Sequence, residues 1–118
     1  MTTLAPYSMT LSEQLGHHFA RFTERPLTDQ ARVAMKRLLL DYLGVAIAGS
    51  QTATGKISGQ FAASLEGKLE ASLIGGTARV PAMYAAFANA ISSHSVELDD
   101  IDVLALFHFS PPVFSAAL

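Results

Sequence analysis

The chain has 118 residues, of which 50% are hydrophobic and only 15% charged, with a mean hydropathy of +0.31. An average domain carries roughly 25% charged residues. So apolar a chain with a net charge of only -2 is not disordered, and without a basic cluster it has nothing to neutralise nucleic-acid phosphates. The absence of cysteine excludes disulfides, thiolate metal sites and a cysteine nucleophile. The most apolar run, residues 38–48, contains Asp41 and falls well short of the roughly 20 residues needed to cross a bilayer. Residues 1–10 lack the basic start and apolar block of a secretory signal. A single cytoplasmic domain with no membrane or nucleic-acid partner is expected.

In chain order, Thr10-Leu11-Ser12-Glu13 has the form of a capping box. It predicts a first helix with Leu11, Leu15, Phe19 and Phe22 on one stripe, ending before Pro26. His17 and His18, being adjacent, point to different faces and read as surface residues. Thr28-Asp29 predicts the start of a second helix, running to Gly49. Its apolar arc is so wide that most of it is expected to be buried. A third, weaker helix is predicted from about Thr54 to Leu65, stopping at Gly67. Residues 70–74 then read as a short strand, Gly75-Gly76 as a turn and Arg79-Val80 as a return strand. Pro81 suits the first turn of a fourth helix, from Ala82 to about Ser93, whose Ala85, Ala86, Ala88 and Ala90 permit close packing. Pro111-Pro112 opens a fifth, apolar helix. The fold class is therefore mainly α, a helical bundle with a small β-ribbon near residues 70–80.

Charge is unevenly distributed. All 8 Lys and Arg lie at or before Arg79, and beyond it the only charged residues are Glu97, Asp99, Asp100 and Asp102. Four carboxylates so close together repel one another unless something compensates. His94 and His108 flank them. Four readings stand side by side. The first is a solvated acidic loop. The second is a divalent-cation site of hard oxygen ligands, although the segment lacks a calcium loop's alternating acids and glycine. The third is the aspartate-rich helix of isoprenoid synthases, which needs an acid where Val103 stands. The fourth is general acid–base chemistry by a carboxylate and an imidazole at a pocket between helices.

The segment from Leu38-Leu39-Leu40-Asp41-Tyr42-Leu43 through Gly44-Val45-Ala46-Ile47-Ala48-Gly49 resembles the early helix of the MmgE/PrpD family. Further similar pieces follow in the family's order. They are Ala71-Ser72-Leu73-Ile74-Gly75, Ala86-Phe87-Ala88-Asn89-Ala90, His94-Ser95-Val96-Glu97-Leu98-Asp99-Asp100, and His108 through Val113 to Ala116-Ala117-Leu118. Each piece is weakly specific, but their order and spacing are not, and together they span nearly the whole chain from about Leu11.

The resemblance implies an α-helical part of a homodimeric lyase or isomerase without metal or other cofactor. Its substrate would be a small-molecule di- or tricarboxylate. The reaction implied is 2-methylcitrate dehydratase-like: proton abstraction next to a carboxylate, with loss of water or CO2. Carried over by position, Glu97 and His108 match residues lining the family's active site, and Asp99 and Asp100 match its acidic signature. These four are the candidate catalytic residues. His94 and Ile101 are the candidate substrate-binding positions. Two departures stand out. Ile101 and Asp102 lie where a polar residue is usual, and Phe109-Ser110 replaces the usual Pro-Gly.

Family members are several times longer, with lysines and a second histidine beyond the matching part. Residues 1–118 are therefore expected to be one partial N-terminal domain, inactive alone. The alternative is a non-catalytic helical oligomerisation module derived from the family. Either way the low charge marks surface meant to be covered, by a second copy or by the remainder of such an enzyme. Sedimentation at neutral pH is expected to show oligomers or aggregates, and a clean monomer would contradict that expectation.

Overall fold

The computed structural model describes residues 9–22 and 26–118. The N-terminal reading over residues 1–8 lies outside them, and the first helix, expected to carry Phe22 and end just before Pro26, stops at Ala20. Among the described residues the fold is mainly helical, five helices and a two-stranded antiparallel ribbon, as the periodicity predicts. The chain divides into two units, Met1–Arg32 and Val33–Leu118.

In the first unit, α1 (Leu11–Ala20) begins at the expected capping box. Thr10 Oγ1 accepts from the Glu13 amide at 3.3 Å, and a Glu13 carboxylate oxygen accepts from the Thr10 amide at 2.7 Å. These bonds satisfy amides that a helix start otherwise leaves unpaired. The helix buries none of its residues. Leu11, Leu15, Phe19 and Phe22 are exposed, and so are His17 and His18, as expected of them.

α2 (Asp29–Gly49) starts where Thr28 Oγ1 accepts from the Ala31 amide at 3.1 Å. The expectation that most of it is buried is overturned. Only Tyr42, Val45, Ala46 and Gly49 are buried, whereas Val33, Met35, Leu38, Leu40 and Ile47 are exposed. A wide apolar arc says which residues favour burial, and only neighbours in space decide which achieve it. Here the buried residues belong to the C-terminal half. Tyr42 is wholly buried, its ring 5.4 Å from that of Phe114 and its hydroxyl 2.8 Å from Ser115 Oγ. Burial pushes this hydroxyl above the ordinary tyrosine value, and the Ser115 hydrogen bond pulls it the other way.

α3 (Ala53–Ser64) is capped by Thr52, whose hydroxyl accepts from the Gly55 amide at 3.0 Å. The ribbon follows as β1 (Ala71–Ser72) and β2 (Arg79–Val80), with Ala71 opposite Val80. It is shorter than the predicted strand over residues 70–74. α4 (Ala82–His94) packs against α3, the ribbon and α5 (Ser110–Ala117). Ala85 and Ala88 of its small-residue stripe join Ala62, Leu73 and Val80 in one core cluster. Asn89 fastens the ribbon to α4. Its carbonyl oxygen accepts from the Ile74 amide at 2.9 Å, and its NH2 group donates to the Ser72 carbonyl at 3.0 Å. No helix among the described residues is long and apolar enough to cross a membrane.

At Gly49, backbones come too close for a side chain. A Cβ there would lie 1.8 Å from the Ser92 carbonyl oxygen, whereas one on Gly44 would meet nothing within 4 Å. Opposite effects of the same substitution follow. Gly49→Ala is expected to cost about 1–3 kcal/mol by forcing α2 and α4 apart, while Gly44→Ala gains about 0.5–1 kcal/mol of helix propensity. Equilibrium urea denaturation of the two variants against the parent checks both signs.

Candidate functional site

The acidic segment joins the end of α4 to the start of α5, and its four carboxylates are not a cluster in space with one role. Their partners differ, except that Glu97 and Asp99 share His94. Asp102 Oδ1 accepts from the Leu104 and Ala105 amides at 3.0 and 2.7 Å, a side-chain-built turn. That turn sits inside a backbone bridge between Asp102 and Phe107. Asp100 reaches forward to accept from the Ser110 amide at 3.0 Å. It thus satisfies an unpaired amide at the start of α5, where the helix dipole favours a negative group.

Asp99 is the buried member, its side chain 0% exposed. His94, the last residue of α4, places Nδ1 3.0 Å from both Asp99 oxygens. His108 Nδ1 lies 3.0 Å from Asp99 Oδ2, but without the alignment of a hydrogen bond, so this buried nitrogen has no hydrogen-bond partner among the described residues. The two rings meet edge to face with centroids 4.6 Å apart. Glu97 is exposed, its side chain 75% so, with Oε1 3.5 Å from His94 Nε2.

His94, Glu97 and His108 line one cavity of ≈ 730 Å³, whose walls include Ile91, Phe107 and Pro111. That volume suits a small organic ligand, and the lining is mostly apolar with a few polar groups. No Lys or Arg is among the described residues lining it. Asp99 stands behind the imidazoles and Asp100 at the helix start, and neither lines the cavity. Ile101 is half exposed and also outside the lining. The three donors His94, Asp99 and His108 lie within 4.8 Å of one another, close enough for an N,N,O-bound cation.

The backbone is unusual at two positions on this cavity. Glu97 and Leu106 both have positive φ, 53° and 51°, a left-handed conformation that costs a residue with a side chain roughly 1–2 kcal/mol. Strain of this kind collects where surrounding structure holds a functional group in place. Sequence reading had no signal for it, since neither position is a glycine or asparagine. It also missed Thr54 and Pro111 as wall residues, because nothing local links α3 or α5 to the acidic segment.

The site is an imidazole–carboxylate cavity in a mainly helical domain, and comparison with known proteins makes the assignment. Residues 13–118 match the MmgE/PrpD N-terminal domain, and the chain belongs to the MmgE/PrpD family. Human cis-aconitate decarboxylase is 33% identical over 75 residues, a stretch that is 63% of this chain and 16% of that enzyme. The chain thus spans only a minor part of the length of the curated relative it matches. No solved structure matches it at a significant level.

If the Leu106 conformation is strained, glycine there relieves it. Leu106 is 77% exposed and buries little, so Leu106→Gly is expected to raise stability by up to about 1 kcal/mol. Leu106→Ala, which keeps the Cβ, gains nothing. Chemical denaturation of the pair separates backbone strain from loss of the side chain.

Proposed function

We propose that the cavity beside His94, Glu97 and His108 is the acid–base part of a lyase or isomerase site for a small di- or tricarboxylate. The observation that carries this reading is their convergence. Three residues spread over 15 positions of sequence line one cavity of ≈ 730 Å³. Family membership supports the substrate class, and the human decarboxylase similarity supports a reaction at a carbon next to a carboxylate.

The chemistry needs two proton-handling groups. A base removes a proton next to a carboxylate, and an acid delivers one to the departing hydroxyl, which leaves as water. In the decarboxylating variant CO2 departs with the bond electrons left on carbon, and the acid protonates that carbon. An imidazole serves either role near neutral pH. His108 is 29% exposed in its side chain and faces the cavity with Glu97, so these two are the proposed catalytic pair. His94 is the proposed substrate-binding group. Binding several carboxylates calls for more positive charge than two imidazoles carry, and none of the described lining residues is Lys or Arg. The chain by itself is therefore expected to bind a carboxylate weakly and to turn none over.

Citrate is a suitable probe. At millimolar concentration it is expected to shift the ring resonances of His108 in a proton–nitrogen NMR titration, and His108→Ala removes that response while the rest of the spectrum stays folded. A spectrum in which no histidine ring responds to citrate would overturn the reading.

A further inference from the structure

We infer that Asp99 is a positioning residue that keeps hydrogen on Nδ1 of both imidazoles of the site, which makes Nε2 of His108 the unprotonated ring nitrogen. The inference rests on the proposed site for its use, but the arrangement it describes exists without ligand.

The starting point is a charge balance. The Asp99 side chain is wholly buried, and a buried carboxylate is costly unless donors meet it. Every Lys and Arg of the chain lies at or before Arg79, and none of them pairs with Asp99 among the described ion pairs. Its two partners are imidazole nitrogens, both Nδ1 and both 3.0 Å from the same oxygen, Oδ2. An ionised carboxylate only accepts, so each nitrogen facing it must carry the hydrogen. On His94 this bond is already aligned. On His108 it is off line, leaving a buried nitrogen without a partner. Such orphans are rare in native proteins. A small turn of the His108 ring aligns its N–H with the oxygen already beside it.

Fixing one ring nitrogen decides what the other is. With hydrogen on Nδ1, a neutral His108 ring presents an unprotonated Nε2, ready to accept a proton or a hydrogen bond. On His94 the second nitrogen lies 3.5 Å from Glu97 Oε1, an acceptor that favours hydrogen there too. The placement is built by the fold. His94 is the last residue of α4, and His108 stands two residues before Ser110, whose amide is held by Asp100. Neighbouring acids therefore divide the work. Asp100 sets where the start of α5 sits, and Asp99 sets that Nδ1 of each ring carries hydrogen.

The test is the nitrogen NMR pattern of the histidine rings in ligand-free, chelator-treated protein at alkaline pH, where the imidazoles are neutral. Both His94 and His108 are expected to show a protonated Nδ1, and His108 an unprotonated Nε2. In Asp99→Asn either the amide oxygen or the NH2 group takes the place of Oδ2, the one oxygen beside His108 Nδ1, so His108 is expected to become a mixture of both tautomers while His94 keeps an acceptor in either case. Matching far-ultraviolet circular dichroism shows that the fold is retained. Should that variant not fold, the parent pattern alone decides, because either ring found without hydrogen on Nδ1 overturns the inference. So does stoichiometric zinc binding to the parent that both Asp99→Asn and His108→Ala abolish, since it would make the three groups ligands of a cation. The citrate titration fails or succeeds separately, so loss of the proposed function and loss of this inference are told apart.

Discussion

A carboxylate with no exposed surface must be met by donors, and in a stretch of chain without lysine or arginine the groups that stand 3.0 Å from it are two histidines. Asp99 imposes that condition. Meeting it requires the end of α4 and the residues just before α5 to come together, since His94 ends one element and His108 precedes the other. The loop between them follows from this requirement. Asp102 folds its tip, Asp100 anchors its exit, and Glu97 is left on the cavity side in a left-handed conformation.

This condition sits on a framework made of small residues. α4 lies against α3, α5 and the ribbon because alanine, serine and asparagine occupy its buried face. Close approach is needed at Gly49, whose missing side chain leaves room for the Ser92 carbonyl. Ser92 is two residues from His94, so packing at the α2–α4 contact and the position of the first imidazole are mechanically linked. Tyr42 adds a second tie, from α2 to α5 through Ser115. The catalytic chemistry proposed here depends on a scaffold whose tolerances are those of backbone against backbone.

The family resemblance and the geometry support one another through different residues. The resemblance treats His94, Glu97, Asp99, Asp100, Ile101 and His108 as one signature. The structure sorts them: His94, Glu97 and His108 line the cavity, Asp99 stands behind the rings, Asp100 caps a helix, and Ile101 is half exposed outside the lining. Phe109, where Pro-Gly is usual, does not stop α5 from forming at the next residue.

Local features were legible in the sequence because their causes are local. A capping box forms from residues three apart, a proline suits the first helical turn, and glycines end elements, so the five helices and the ribbon emerge from residue order with bounds that shift by a few residues. The acids and histidines were legible as a group for the same reason. Burial was not. The apolar faces of α1 and of the first half of α2 look like core and are exposed, because the neighbours that decide burial are far away in sequence. The division of labour among the four acids was equally hidden. Identical carboxylates acquire different roles only from what the fold brings within about 3 Å of each, and only the tertiary structure sets that distance.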